Sequence, residues 1–351
     1  MGTRTRSTRR PKRRTAASAA LALALALTAS GCVTVRGELE VVPAATRAEA
    51  AQALRDFTDA YNEADKAYDP ALVAGRVTGA LAAINQAALR ARSRQSPAGN
   101  PDHRELTLDD ARFLIPKKAG WPRWFVADTD SNRDTDRTQG NGGNGSASGV
   151  DSRWLIVFVR GGADQLWEAS HLLTLPADEV PDFAVDPDGF AKAVPPDGTG
   201  PLTPPGELSR AYASYLQRSG GQGGPAFAPG PYTTAWLAQR RQAAQRVGRS
   251  MQYLDQPLDT GVFAPVALGT ADGGAFVFFA TRHFEKQTAA PGVPLLDLNA
   301  DVRALMTGTP KSSLLKERVA SQVALVPKGG AAGTTADLRS RVQGLVSAQG
   351  S

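Results

Sequence analysis

The chain has 351 residues, enough for one to three domains, with 40 Lys+Arg against 34 Asp+Glu and a single cysteine. Seven of the basic residues (Arg4, Arg6, Arg9, Arg10, Lys12, Arg13, Arg14) and none of the acidic ones lie within residues 1–31, leaving 33 basic against 34 acidic in the remainder. The body therefore has no net positive field for a nucleic-acid partner, and one thiol excludes internal disulfides and cysteine-cluster zinc or iron–sulfur sites.

Residues 1–15 are basic and polar, and residues 16–29 are a run of Ala and Leu broken by one Ser and one Thr. With the small residues Ser30 and Gly31 next, this is the order of an export signal over residues 1–31. The apolar run is shorter than the roughly 20 residues a spanning helix needs. Ala29-Ser30-Gly31-Cys32 resembles a bacterial lipobox, with Ala29 where a Leu is usual. That resemblance implies cleavage before Cys32, diacylation of its sulfur, and anchorage by membrane lipid on the extracytoplasmic face of the cell membrane. At about 0.8 kcal/mol per buried methylene, two chains hold a protein firmly. Heavy use of Ala, Gly, Arg and Pro is similar to proteins of high-GC actinobacteria, and the chain resembles actinobacterial lipoproteins of unknown function. The pairs Arg9-Arg10 and Arg13-Arg14 leave both the general and the twin-arginine export routes open.

Residues 32–45 read as a tether. A helix over 47–64 carries Leu54, Phe57 and Tyr61 on one side, with Thr46 as N-cap and Glu49 completing a capping box. Tyr68-Asp69-Pro70 ends it, and a second helix is expected over 71–92. Strands follow at 113–116 and 124–127, then a polar Gly/Asn/Asp/Ser-rich stretch to 149. Residues 154–160 and 166–175 read as antiparallel neighbours joined through Gly161-Gly162. A Pro/Asp/Gly-rich connection over 176–205 has one short strand near Phe183. Helices are expected at 207–218 and 233–250, with a glycine-rich loop over 219–224 between them. Strands follow at 262–268, 275–282 and 319–327, with a long excursion over 286–313 that carries a short helix at 299–306. Residues 338–348 are expected to close the sheet as a strand.

The helix–helix–strands order recurs. Residues 169–176 (ASHLLTLP) echo residues 320–327 (ASQVALVP), with three identities and two conservative matches. Two α+β units are expected, residues 46–200 and 201–351, each with helices followed by a curled antiparallel sheet. They resemble the cone-shaped nuclear-transport-factor-2-like and cystatin-like class, which often leaves a pocket between helices and sheet.

Candidate chemistry is thin. The three histidines are His103 in a loop expected to be solvated, His171, and His283. Ser170 and His171 are expected on opposite strand faces, hence not paired. His283 and Glu285 share a face, without the spacing of a metal motif. Residues 128–136 alternate oxygen donors like the start of a calcium loop. However, Arg133 stands at the turn glycine and Gln139 at the bidentate glutamate, so a hairpin loop is the better reading. Residues 140–149 and 219–224 lack the Lys-Ser/Thr and helix of a phosphate loop, and no cofactor is expected. Arg240, Arg241, Arg246 and Arg249 form a basic face, either simply solvated or in contact with anionic lipid or wall polymer. Trp121, Arg123 and Trp124 are the candidate binding group, since two indoles flanking a guanidinium suit a ligand wall. Without a catalytic signature, the expected function is a non-catalytic binding or scaffolding role in the cell envelope, with an envelope protein or small molecule as partner. The alternative is an envelope hydrolase or isomerase using His171, His283 or a buried Asp.

Overall fold

Where both faces of a strand are covered, its apolar residues run continuously, and two strands show this strongly: Leu155–Phe158 and Phe276–Phe279 are wholly buried. A computed structural model of the protein describes residues 1–3, 40–133, 151–218, 227–296, 298–329 and 335–351. Residues 4–39, with Cys32 and most of the leader, lie outside the described residues, as do 134–150 and the 219–224 loop. No helix among the described residues is long and apolar enough to cross a membrane.

Residues 41–351 are mixed α+β with sheets that are antiparallel apart from one short parallel pair, β10 (Met306–Gly308) with β12 (Asp337–Gly350). Helix α1 (Arg47–Ala67) starts at the expected capping box, in which the Glu49 amide donates to Thr46 Oγ1 at 3.1 Å and the Thr46 amide to Glu49 Oε2 at 2.7 Å. It ends at Tyr68, which adopts the left-handed conformation. Helix α2 (Gly79–Gln95) begins eight residues later than expected. Residues 70–72 form a separate 3-10 turn, and residues 76–78 bond to the strand edge at Ala169, so the chain cannot turn helical before Gly79. Gly79 sits at φ +55°, where a Cβ would meet the Val262 carbonyl oxygen at 2.6 Å.

Strands β1 (Val42–Pro43) and β3 (Lys117–Lys118) form a two-residue ladder. Strands β2 (Leu108–Leu114), β4 (Arg123–Ser131), β5 (Ser152–Arg160) and β6 (Glu168–Pro176) form an antiparallel meander in chain order. The β5–β6 hairpin through Gly161-Gly162 is as expected. After the connection come α3 (Leu208–Gln217) and α4 (Thr234–Ala244), then β7 (Arg249–Leu258), β8 (Val266–Gly269), β9 (Ala275–Ala289), α5 (Ala300–Leu305), β10 (Met306–Gly308), β11 (Ser313–Val326) and β12 (Asp337–Gly350). The second sheet runs β10-β12-β11-β9-β7, with β8 beside β9, and its C-terminal segment is the expected strand.

Alternation sorts side chains into layers. Phe125, Ile156 and Phe158 pack under α1, while Trp124, Val126, Leu155 and Val157 face the other way. There they meet Leu268, Phe276, Phe278 and Val323 of the second sheet, so the two sheets lie back to back. The second sheet's opposite face, through Val277, Phe279 and Ala324, packs against Tyr212 and Leu216 of α3 and Leu237 of α4. The long strands run on past this sandwich, and α2 packs along them, with Ile84 against Gly344.

Further expectations change. The helix expected to reach residue 250 stops at Ala244, and β7, which had no counterpart in the reading, follows through Gly248 at φ +74°. Strand β9 continues to Ala289, seven residues further than expected. The echoing segments fall on β6, an edge strand, and β11, an interior one, so they do not hold equivalent places in the two sheets.

Candidate functional site

Past the apolar stretch, the helix-covered face of the second sheet turns polar. Odd-numbered residues of β9 continue it from Phe279 through Thr281, His283 and Glu285 to Gln287. Beside them β7 contributes Tyr253 and Asp255, and α4 crosses above with Trp236 and Arg240.

The centre is an ion cluster. Arg240 clamps Asp255 in a bidentate pair at 2.7 and 2.8 Å, with both residues below 10 % exposure. His283 Nδ1 lies 2.5 Å from Asp255 Oδ1, and its Nε2 lies 2.8 Å from Thr281 Oγ1, which in turn meets the Gln322 side chain at 2.5 Å. Burial raises the Asp255 carboxyl, but hydrogen bonds from His283 and Arg240 outweigh it and hold the group below its ordinary range. Burial pushes the His283 imidazole down to about 4, against the pull of Asp255 and helped by Arg341 and Arg240. Both ring nitrogens and both carboxylate oxygens are thus engaged inside the protein.

Next to this cluster opens a groove with a cavity of about 210 Å³, walled by Trp236, Arg240, Arg246, Arg249, Tyr253 and Glu285 among others. Glu285 is held by Lys316 at 2.5 Å and Arg318 at 3.3 Å. Against the Trp236 ring lie two guanidiniums, Arg341 at 4.3 Å and Arg240 at 5.0 Å from its centroid. The Nε atoms of Arg240 and Arg341 and the indole Nε1 of Trp236 are buried donors with no hydrogen-bond partner among the described residues.

The expected binding group divides. Trp124 is buried in the core between the sheets. Trp121, which follows a turn and precedes a cis-proline, lies half-buried with Arg123 at 4.6 Å and Arg160 at 5.3 Å from its ring. Arg160 also lies over Trp167 at 4.6 Å, so Trp121 and Arg123 belong to a stack built with β5 rather than with Trp124.

Two histidines differ from expectation. His103 is half-buried, its Nδ1 2.9 Å from Asp65, which also takes Asn100 and Arg92. Ser170 Oγ and His171 Nδ1 lie 3.0 Å apart although they are chain neighbours. The ladder explains this: Val157 faces His171 while Phe158 faces Ala169, so Ser170 is the extra residue of a bulge that breaks the alternation. Both are buried, and His171 Nε2 has no partner among the described residues, so neither is presented to a substrate. Asp128, the first donor of the calcium-like stretch, is buried between Arg153 at 2.7 Å and Arg112 at 2.6 Å, and residues 134–136 are outside the described set. Among the described residues, no group of three potential metal ligands converges.

Sequence reasoning found His283, Arg240, Arg246 and Arg249 without connecting them. It missed Asp255, because β7 was missed, and Arg341, which carries no local signal.

These features define an α+β protein with back-to-back antiparallel sheets and a cationic groove beside a buried Arg–Asp–His cluster. The chain belongs to the family of the domain of unknown function DUF8094, whose model matches residues 41–350. It is 49 % identical, over 98 % of both chains, to an uncharacterized lipoprotein of Streptomyces coelicolor, and 48 % identical, over 92 % of both, to an uncharacterized lipoprotein of Streptomyces avermitilis. A second uncharacterized lipoprotein of S. coelicolor is 27 % identical over 63 % of this chain and 59 % of its own length. No solved structure matches.

Proposed function

We propose that this chain is an exported lipoprotein, held by acylated Cys32 on the outer face of the cytoplasmic membrane, with a non-catalytic binding role in the cell envelope. On this reading residues 1–31 are the signal peptide, 32–45 the tether, and 46–200 and 201–351 two α+β units. Supporting the anchor are the small residues before the only cysteine and the lipoprotein names of full-length relatives. Supporting the two units is the shared order of two helices followed by a largely antiparallel sheet.

The observation that carries binding is the groove under α4. It is open, yet the acid and base beside it are already committed, Asp255 to Arg240 and His283 on both ring nitrogens. A general acid or base must reach a substrate proton, which these do not. This ranks the hydrolase or isomerase alternative lower.

The test is native mass spectrometry of the mature protein, gently extracted from its own membrane. A defined small molecule on the chain is the expected result, and a stoichiometric protein partner would shift the role to scaffolding. A bare monomer carrying only lipid would refute both and bring enzyme assays forward. Cys32→Ser should move the protein out of the membrane fraction; retention there would refute the anchor.

A further inference from the structure

Two cations that line the α4 groove, Arg246 and Arg249, have no carboxylate partner among the described residues, nor does Arg341, which lies against the Trp236 ring. Arg249 donates Nε to the Pro294 carbonyl at 2.9 Å, and Arg341 donates to Gln343 Oε1 at 2.6 Å. Each keeps further N–H groups. The neighbouring carboxylates do not neutralise them, because Asp255 belongs to Arg240 and His283, and Glu285 to Lys316 and Arg318.

The orphaned buried atoms point the same way. Arg240 Nε, Arg341 Nε and Trp236 Nε1 are all donors, and they gather about one indole that walls the groove. Buried donors are ordinarily matched by acceptors, so a site with a surplus of N–H groups and positive charge is complementary to an anion. Arginine favours multi-oxygen acceptors that it can meet with two parallel bonds. A carboxylate has two such oxygens and a phosphate ester more, enough for both lining guanidiniums to bind through two parallel bonds each. The cavity, about 210 Å³, is smaller than a typical drug-sized pocket and matches a headgroup-sized ester rather than an acyl chain.

We infer that the groove under α4 binds a phosphate ester, its phosphoryl oxygens taken by Arg246 and Arg249 and its organic part laid against Trp236 and Tyr253. This rests on the reading of the groove as a ligand site and names the chemistry it selects. A phospholipid headgroup and a soluble phosphate ester both present that chemistry, and the test separates them.

The mature lipid-bearing chain, in an uncharged maltoside detergent, is titrated with inorganic phosphate and with glycerol 1-phosphate. It is then titrated with phosphatidylglycerol against phosphatidylcholine in mixed micelles. Tryptophan fluorescence and melting midpoint are followed at matched ionic strength. The expected result is saturable binding of glycerol 1-phosphate that raises the midpoint and weakens with added salt. Phosphatidylglycerol acting at lower total concentration, with phosphatidylcholine inert, would identify a lipid source; the soluble esters acting alone would identify a soluble one.

The double variant Arg246→Gln/Arg249→Gln removes two exposed or half-buried charges and should fold normally while weakening binding at least tenfold. Arg249→Lys keeps the charge but loses the planar fork, and should weaken it several-fold. Titrations identical to wild type in the double variant overturn the inference. So does a neutral molecule co-purifying in the groove with no response to any anion, an outcome that leaves the groove's binding role standing. With no co-purifying molecule and no response to any probe, both readings fall.

Discussion

Acid should expose the cost of burying His171. The ring is 1 % exposed, between the sheets on the same face as Val157, and burial pushes its pKa down to about 4. A proton on Nδ1 donated to Ser170 Oγ, with the serine hydroxyl donating to the Val157 carbonyl at 3.2 Å, satisfies both neighbours and leaves Nε2 a bare acceptor. Charging the ring would place a proton on that nitrogen with no acceptor for it among the described residues. The unfolded chain takes up the proton near pH 6.5, and the folded chain only near 4. Because the folded pKa is depressed, the neutral-ring contribution is complete above 6.5 and is lost as pH falls towards 4. At about 1.36 kcal/mol per pH unit the full loss is about 3 kcal/mol, of which about 2 kcal/mol appears between pH 7 and 5. Urea unfolding of residues 41–351, followed by tryptophan fluorescence, should therefore show wild type losing about 2 kcal/mol more than His171→Asn over that interval. Asparagine keeps a donor for Ser170 but does not titrate, so its neutral-pH stability is irrelevant to the comparison. Parallel pH profiles would show that the ring charges freely in the folded state and that Nε2 reaches water.

Asp255→Asn leaves Arg240 buried without its counter-charge, and should cost about 3–5 kcal/mol of unfolding free energy in the same urea assay. A loss under 1 kcal/mol would mean that the guanidinium finds water. Gly344→Ala would place a Cβ 2.6 Å from Ile84 Cγ2, and should destabilise by about 1–3 kcal/mol, with Ile84→Ala in the same chain restoring part of it. Strict additivity of the two changes would argue against that contact. Thr46→Ala removes the cap of α1 and should lower stability by about 1 kcal/mol. An unchanged urea midpoint would show that the helix end is held by packing alone.

Local signals suffice where the partner lies within a few residues. The capping box of α1 spans Thr46 to Glu49, and the β5–β6 hairpin closes over a short glycine turn, so neither depends on the rest of the chain. Strand β7 was illegible for a chemical reason. Its inward positions are Met251, Tyr253 and Asp255, and Leu254 points out beside Gln252 and Gln256, so no apolar alternation marks it. A carboxylate on the inward face reads as surface until Arg240 and His283 are seen to meet it. The start of α2 is not legible in the sequence because its preceding turn is committed to the edge of β6, a contact that composition does not encode. The pairing of Ser170 with His171 was excluded by strict alternation, which a bulge suspends.

Sequence alone determined the charge distribution, the small-residue cysteine signal, the α+β class and most strands, because each is written in composition or in a period of two or 3.6 residues. It also held the sign that β5 and β9 are covered on both faces, since both are apolar without alternation. Only the tertiary structure decided what covers them. Hydrophobic burial has no direction, so an apolar face shows that it must meet another but not which one. The back-to-back meeting of the sheets, and the junction of α4, β7, β9 and β12 that gathers Arg240, Asp255, His283 and Arg341, arise from that choice.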